Sequence, residues 1–512
     1  MEKNEQNKSK TIAKNTLFLY FRMMLIMLVS LYTSRVVLEK LGETDFGIYN
    51  VVAGFVSMFA LLTGSLSAAI SRFITYELGK GNKENLKKIF SLSLTIQFSL
   101  SIVVILVGEL VGVWFLNTRM TIPAERLFAA NWVFQLSLLG FCFHMISIPY
   151  NAAIIAHEHM KAFAFVGIID AFARLMVVFL LAISPIDMLI FYAVLLCLIS
   201  IFIRSCYSVY CHRHFAECSF SFCFDSVLFK QLASFAGWNF IGSSASLLRE
   251  QGGNVIINLF FNPAVNAARG IAAQANTAIH SFVSNFMTAL NPQITKSYAS
   301  GNTDYMMKLV FQGARLSYFM LLLLSLPIIF STDYILSIWL VKVPEKTSIF
   351  FRLVLFFGLS ESLSHPLVTT MLATGRIKKY QLTVGGLQLL NLPFSYFFLR
   401  CGFPAETVLY VALFFSQCCL FMRLIMLKSM VGLNIKAYME NVYLKVLFVT
   451  LFSLLVPTFF VYFYEVNSFG MFILESILCL ISTLFYVLYI GCSIDERSFV
   501  YRKLKELTHK IL

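Results

Sequence analysis

Long apolar stretches separated by short polar segments recur along the whole chain. Many reach the roughly 20 helical residues needed to cross a hydrocarbon core of about 30 Å. The pattern predicts an all-α integral membrane protein with about fourteen transmembrane helices. Their approximate limits are 16–38, 46–76, 88–115, 127–149, 162–183, 187–210, 231–261, 265–295, 308–330, 347–373, 380–399, 405–427, 443–464 and 469–491. The first stretch lacks a signal-peptide cleavage pattern, so we expect it to remain as a helix.

The composition agrees with this prediction. Of the 512 residues, 59% are hydrophobic and 13% are charged, whereas an ordinary soluble domain is roughly 25% charged. Lys and Arg concentrate in segments that alternate spans place on one side, such as "GKGNKENLKK" and the tail "RSFVYRKLKELTHK". Short cytoplasmic loops retain positive charge, so both termini are predicted to be cytoplasmic. The net charge of +14 then faces anionic lipid, and we expect no nucleic-acid partner.

An internal repeat appears at a shift of 220 residues, where "ITYELGKGNKENLKKI" (74–89) lies over "ITKSYASGNTDYMMKL" (294–309). Both segments join a second span to a third span on the same side of the membrane. The repeat predicts two six-helix lobes related by an axis along the membrane normal, an arrangement typical of transporters. The identical pairs are Ile74/Ile294, Thr75/Thr295, Gly81/Gly301, Asn82/Asn302 and Lys88/Lys308.

This reading divides the chain into five parts. They are an N-terminal lobe (1–210), a cytoplasmic inter-lobe loop (211–230), a C-terminal lobe (231–428), an additional transmembrane helix pair (429–491) and a basic cytoplasmic tail (492–512). Two similar bundles can rock about a central site and open it alternately to each side.

Three segments resemble the Wzx-type polysaccharide flippases. They are the first helix "NTLFLYFRMMLIMLVSLYTSRVVLEKLGETDFGIYNVV", the "YELGKGN" loop and the "SFAGWNFIG" opening of the seventh span. These flippases belong to the multidrug/oligosaccharidyl-lipid/polysaccharide exporter superfamily, which also contains the multidrug and toxin extrusion antiporters. The likeness covers nearly the whole chain.

The resemblance implies a function. Such proteins move undecaprenyl-pyrophosphate-linked oligosaccharide units from the inner to the outer leaflet of the bacterial inner membrane, for lipopolysaccharide O-antigen, capsule or exopolysaccharide. It implies this lipid-linked oligosaccharide and membrane lipids as partners. It leaves open Na⁺ or H⁺ as a coupling ion and contacts with other polysaccharide-assembly proteins.

Ionisable residues inside spans are a separate signal, because each costs roughly 2.5 to 3.5 kcal/mol on insertion scales. All the intramembrane cations in our inventory are Arg, which keeps its charge when desolvated and presents a fork that fits phosphate oxygens. The cations are Arg22, Arg35, Arg72, Arg174, Arg249, Arg269, Arg315 and Arg352, and the anions are Glu109, Asp170, Glu250, Glu361 and Glu475.

Several of these residues have structural explanations. Asp170 and Arg174 are four residues apart on one helical face and are expected to pair. Side chains near span ends can reach the headgroups, a reading that applies to Arg72, Arg269, Arg315 and Arg352. Arg35 also lies near a span end. Arg22 and Arg249 lie deeper, which favours a role in a cavity.

The seventh span carries a polar sector. Asn239, Ser243, Ser246 and Glu250 recur at helical spacing, and Arg249 lies in an adjoining stripe. Such a sector faces a wet cavity or a close helix. The pair Gly252–Gly253 predicts a place where the helix could bend. The repeat does not reproduce these charges in the first lobe, so a function specific to one lobe explains them better than a shared structural need.

We therefore predict a substrate site and a set of ion-coupling candidates. The substrate-binding residues are Arg22, Arg35, Arg249, Arg269, Asn239 and Gln251, with Glu250 either paired with Arg249 or coupling an ion. The ion-coupling candidates are Glu250, Glu361 and Glu109. We expect no catalytic residue and no cofactor.

A cysteine-rich segment raises the question of a metal site. "CYSVYCHRHFAECSFSFC" places Cys206, Cys211, Cys218 and Cys223 near two histidines. Zinc sites typically use tight C-x2-C pairs, and that spacing does not occur here. We expect a half-buried loop and no metal.

Two other functions stay open. A multidrug or cation antiporter of the same fold would want unpaired acids in its cavity, whereas here Arg outnumbers the acids. A membrane glycan polymerase or ligase generally needs a sizeable outer loop, but the longest, "STDYILSIWLVKVPEKTS", has no His and few charges. We expect a transporter that is not an enzyme.

Overall fold

The computed structural model describes residues 2–118, 120, 122–221, 225–261, 263–340, 343–464, 466–494 and 496–498. Nearly all of these residues are helical, and none of them lies in a strand. The α-helices are α1 (Glu2–Ser57), α2 (Ala60–Lys80), α3 (Lys83–Val107), α4 (Val113–Thr118), α5 (Leu127–Ala156), α6 (Met160–Leu180), α7 (Met188–His214), α8 (Ser226–Phe260), α9 (Pro263–Ala299), α10 (Thr303–Phe330), α11 (Thr332–Trp339), α12 (Thr347–Ser362), α13 (His365–Thr374), α14 (Lys378–Arg400), α15 (Thr407–Val431), α16 (Ile435–Tyr438), α17 (Leu444–Phe463) and α18 (Phe469–Tyr486).

The helices confirm the predicted membrane class. Eleven helical segments of the described chain are long and apolar enough to cross a membrane, and the end of α1 with α2 forms a further span bent by 46°. The helices α8 and α9, with 35 and 37 residues, occupy the places of the seventh and eighth predicted spans. They are richer in Ser, Asn and Gln than their neighbours. The protein is therefore a multi-pass membrane protein, whose helices satisfy their own backbone polar groups.

The two repeat segments end their helices in the same way. Gly81 and Gly301 have φ angles of 76° and 74°, in the left-handed region that glycine enters without strain. The residue that follows caps the next helix in both copies. Asn82 Oδ1 accepts a hydrogen bond from the backbone N–H three residues on at 3.1 Å, and Asn302 Oδ1 accepts the equivalent bond at 3.2 Å.

Two compact units make up the chain. The first contains Met1–Ser243 and Thr288–Gly301, and the second contains Ser244–Met287 and Asn302–Leu512. Each of α8 and α9 therefore contributes one part to each unit. The first unit has a core around α5, where Phe134 is 1% exposed. The second has a core around α12, where Phe350 is fully buried.

The end of α9 packs against the end of α2 within the first unit. The rings of Tyr76 and Tyr298 have centroids 6.3 Å apart. The backbones approach closely at Gly79, where a Cβ would lie 2.8 Å from the Cα of Lys296 and 2.9 Å from the Cβ of Ala299. Glycine at position 79 permits this approach.

The turn between α5 and α6 also holds the end of α9. Glu158 has a φ of 62°, which residues other than glycine rarely adopt. Its carboxylate accepts hydrogen bonds from Lys296 Nζ at 2.6 Å and from Gln293 Nε2 at 2.5 Å. A strained backbone conformation thus places an anion against two polar groups of α9.

Two histidines connect this turn to α7 and the loop that follows it. His157 pairs with Glu217, and His159 Nδ1 lies 2.9 Å from the hydroxyl of Tyr210. Burial opposes the charged form of Glu217, but the hydrogen bond and charge of His157 outweigh burial, so the pKa of Glu217 lies below its usual value. Burial, together with neighbouring positive groups, lowers the pKa of His159.

Candidate functional site

Arg249 lies within α8 and faces α12. Its Cζ is 4.9 Å from the centroid of the Phe357 ring, a cation–π distance. Arg249 and Arg423 both act electrostatically on the carboxylate of Glu361. That carboxylate also accepts a hydrogen bond from the Ser416 hydroxyl at 2.8 Å. The structure therefore brings together Arg249 and Glu361, which were predicted as separate members of the site.

Arg423 completes this group from α15. Its side chain is 3% exposed, and its Nη1 donates a hydrogen bond to the Ser364 hydroxyl at 2.9 Å, in the break between α12 and α13. We call Arg249, Glu361 and Arg423 the interior charge cluster. Two guanidinium groups and one carboxylate give it a formal charge of +1.

Arg269 packs against α8 from α9. Its side chain is 9% exposed, and its Nη2 donates to the backbone carbonyl of Glu250 at 3.2 Å. Nη1 is buried and has no acceptor among the described residues. Gly253 leaves the space for this guanidinium, because a Cβ there would lie 2.7 Å from Nη2 and 2.8 Å from Nη1. Buried donors without acceptors are groups that an anion can satisfy.

The centre of α8 has surroundings that the sequence pattern did not specify. Glu250 is exposed, and its carboxylate acts electrostatically on Arg269, while Arg249 acts electrostatically on Glu361. The helix runs unbroken through the glycine pair. Gly252 instead admits Leu392, whose Cδ2 would lie 2.7 Å from an added Cβ. Both glycines therefore serve close packing.

The other polar positions of α8 have mixed surroundings. Ser246 donates to Gln388 Oε1 on α14 at 2.7 Å, so this part of the polar sector faces a neighbouring helix. Gln251 is exposed and accepts a hydrogen bond from Asn254 at 3.2 Å. Asn239 is half-buried.

Arg22 has a comparable environment in the first unit. Its Cζ lies 4.4 Å from the centroid of the Phe163 ring on α6. A Cβ on Gly167 would overlap its guanidinium. Asp170 acts on it electrostatically, and its Nε finds no acceptor in the described part of the chain. In each unit, a predicted arginine thus fills the space that a glycine leaves on a neighbouring helix.

Arg35 and Glu109 stand apart from these groups. Both side chains are exposed, and Glu109 lies in a π-helical turn, Gly108–Gly112, that follows α3. The structure brings neither of them to the interior charge cluster.

Three other intramembrane arginines are paired. Arg174 Nε lies 3.1 Å from Asp170, which confirms the predicted i, i+4 pair. Arg315 contacts Glu496 at 2.8 Å, and Arg352 contacts Asp333 at 2.7 Å. These contacts tie helices and loops together.

Comparison with known proteins identifies the family. A model described as polysaccharide biosynthesis protein matches residues 12–298, more than half of the chain. The chain belongs to this family. The resemblance drawn from the sequence is therefore confirmed at that level. No curated protein matches the chain significantly.

Solved structures share the fold of this protein. One is an outward-facing multidrug resistance MATE family transporter of the MOP superfamily, with 11% identity, a TM-score of 0.71, and coverage of 83% of this chain and 96% of that chain. A second is a MATE protein in the straight conformation, with 12% identity, a TM-score of 0.70 and the same coverage. A third is a MOP superfamily transporter from Pyrococcus furiosus, with 12% identity, a TM-score of 0.68 and coverage of 84% and 96%. At these identities the likeness shows a common fold.

Three interior residues of this protein were not predicted from the sequence, namely Arg423, His280 and His365. Arg423 lies four residues from the end of a predicted span, where an arginine usually anchors to headgroups. The segment "SESLSH" (360–365) interrupts an apolar run with polar residues, and that interruption was the available signal for the break between α12 and α13.

The cysteine-rich segment is only partly described. Within the described residues, no three His, Cys, Asp or Glu side chains come together in a way that could hold a metal ion. Cys211 and Cys218 are fully buried. Cys223 lies outside the described residues, as do residues 499–512 of the predicted basic tail.

Proposed function

We propose that this protein is a flippase that moves undecaprenyl-pyrophosphate-linked oligosaccharide units from the inner to the outer leaflet of the bacterial inner membrane by alternating access, with both termini in the cytoplasm. The interior charge cluster carries the proposal, because it leaves positive charge within the membrane-spanning part of the second unit. Family membership supports a role in glycan assembly. The shared fold supports transport.

The chemistry of the cluster suits a pyrophosphate. Arginine stays charged when desolvated and can bind two phosphate oxygens at once. Arg269 adds a buried Nη1 that lacks an acceptor in the described structure, and Arg22 offers a comparable donor in the first unit. Arg35, Asn239 and Gln251 remain candidate contacts of the cargo. The polyprenyl tail stays in lipid.

The proposal also includes a site for a coupling ion. Glu250 and Glu109 are exposed carboxylates that could bind Na⁺ or H⁺. Glu361 is flanked by two arginines, which favours its role as a fixed counter-charge over release and uptake of an ion.

Drug export is the rival function, since one structural relative is titled a multidrug resistance transporter. A cationic drug would require unpaired acids, whereas the cluster carries a net positive charge and would repel it. The Pyrococcus furiosus relative is described as having a binding pocket of reverse polarity that suggests a different function. That relative supports the idea that this fold accommodates pockets of differing polarity.

Complementation of a strain that lacks the gene tests the proposal. We expect Arg249→Ala and Arg423→Ala to lower surface glycan at least tenfold at matched membrane levels, since each removes a phosphate donor. Arg352→Ala is the control, because Arg352 is already paired with Asp333 near a span end. Normal glycan in the cluster variants, accompanied by increased drug sensitivity, would refute the flippase and support the antiporter.

A further inference from the structure

A pair of histidines lies beside the interior charge cluster. His280 of α9 and His365, the first residue of α13, have ring centroids 6.2 Å apart at an interplanar angle of 86°. Both are half-buried, and both fall well inside predicted spans. Histidine is the side chain whose ordinary pKa permits a change of charge between pH 5 and 8. Neither the fold nor the proposed anion contact explains why two of them meet here.

Charged groups reach this pair from several helices. Glu361, on α12, Arg423, on α15, and His280 act electrostatically on His365. Arg249, on α8, acts on the same Glu361 carboxylate. Tyr380, on α14, hydrogen-bonds to Arg423. The helix α10 also packs against α13. None of the described charged groups of α10 is among those acting on His365.

The balance of these charges makes the pair responsive to an anion. Glu361 favours a positive charge on His365, whereas Arg423 and a charged His280 repel one, and such interactions are strong in a medium of low dielectric constant. An anion bound at Arg249 and Arg423 would cancel that repulsion. The imidazoles would then bind a proton more readily, and by thermodynamic reciprocity a proton on the pair would strengthen anion binding.

We propose that the His280–His365 pair is a proton-binding site that takes up a proton from water when a phosphate-bearing anion occupies the interior charge cluster. This inference rests on the proposed function, because it requires the cluster to bind an anion. Cargo binding and proton binding are then linked at one place in the second unit. The site differs from the carboxylates considered for ion coupling, since a proton adds positive charge to an imidazole, whereas it removes negative charge from a carboxylate.

Calorimetry on the purified full-length protein tests the linkage. Undecaprenyl pyrophosphate is titrated into the protein in two buffers of different ionisation enthalpy, so that the difference in heat gives the protons taken up per anion bound. We expect up to one proton per anion for the wild-type protein, and an affinity that rises by up to about tenfold for each unit of falling pH. The double variant His280→Gln, His365→Gln should bind the anion with little proton uptake.

Two further variants complete the design. His212→Gln, an exposed position outside the cluster, should keep the wild-type proton uptake. His280→Gln alone should reduce uptake and provides the test if the double variant fails to fold. Binding without proton uptake in the wild-type protein, or unchanged uptake in the variants, would overturn the inference and leave the flippase proposal standing. Absence of anion binding by the wild-type protein would overturn both.

Discussion

At the scale of single residues, the absence of a side chain at Gly253 leaves the space that the guanidinium of Arg269 fills. Gly167 has the same relation to Arg22. An arginine inside a membrane protein is costly unless its position is fixed by partners. In both units, a glycine on the neighbouring helix helps to fix the position of the arginine. The location of a charged group therefore depends on an uncharged residue.

Gly253→Ala should therefore displace Arg269. We expect a loss of roughly 1 to 3 kcal/mol in stability, toward the lower value because the guanidinium is the end of a flexible chain. Gly237→Ala, in the same helix but with no atom within 4 Å of the added Cβ, is the matched control. Thermal unfolding in detergent measures the difference. Equal midpoints for the two variants would show that Gly253 does not position Arg269.

The depth of Arg249 in its span could be predicted from the sequence, but its partner could not. Neighbouring residues on a helix do not face each other, so Glu250 points away from the direction of Arg249. The partner, Glu361, lies on another helix, and no local pattern specifies which helices meet. Arg423 was also not predicted, because an arginine near a span end is expected to contact lipid headgroups until the packing is known.

His159 provides a prediction about pH. Its pKa in the folded protein is lowered, mainly by burial and then by neighbouring positive groups. The unfolded chain therefore takes up a proton at higher pH than the folded chain, and stability is present above about pH 6.5 and is lost as pH falls below that value. We expect the unfolding midpoint to drop between pH 7.5 and 5.5. In His159→Asn that drop should be smaller, and an identical drop would exclude His159 as its source.

At the scale of helices, α9 depends on a turn that precedes it by more than a hundred residues. Glu158 binds Lys296 and Gln293 from a strained backbone conformation. The helix ends at Gly81 and Gly301 were predictable, because a Gly–Asn pair is a local stop and start signal. The bend between α1 and α2 was not predictable, since tertiary packing decides it. The break between α12 and α13 had one local signal, the polar interruption "SESLSH" (360–365).

The ion pair between Glu158 and Lys296 should contribute measurably to stability. Both side chains are largely buried, with 13% and 24% exposure, and a hydrogen bond to a charged group contributes about 1.5 to 3 kcal/mol. A double-mutant cycle with Glu158→Gln and Lys296→Met measures the coupling. The exposed pair Glu84–Lys88 is the control and should show little coupling. Equal coupling in the two pairs would mean that the Glu158–Lys296 contact stabilises the protein no more than an exposed ion pair does.

At the scale of the whole molecule, the sequence predicted a membrane protein of repeated design. Hydropathy identified most spans because lipid imposes one simple requirement on each. The helices α8 and α9, predicted as the seventh and eighth spans, are less apolar than most of the others because of their polar residues. Those polar residues include most of the predicted substrate contacts. The two helices α8 and α9 therefore contain most of the candidate functional residues.

Orientation can be checked with a natural cysteine. Cys401 follows α14 on the side predicted to be outside, and among the described cysteines it is the exposed one. A membrane-impermeant maleimide should label intact cells at this residue, and Cys401→Ser should abolish the labelling. Labelling that appears only after the membrane is opened would place the termini outside and reverse the proposed topology.

The close approach at Gly79 has a consequence of its own. At the shift of the repeat, Gly79 and Ala299 are the same position, and a Cβ on Gly79 would lie 2.9 Å from that of Ala299. A surface that touches its own counterpart is the mark of a two-fold dimer interface, here contained within one chain.

A methyl group on Gly79 would clash with the methyl group of Ala299, and it would also approach the backbone of Lys296 too closely. Gly79→Ala should therefore lower the unfolding midpoint in detergent, and adding Ala299→Gly should restore part of the loss by moving the methyl group to the other copy. Failure of the second change to help would mean that the two copies are no longer interchangeable. Rescue would show that the two copies of the repeat form a symmetric contact that tolerates the methyl group on either copy.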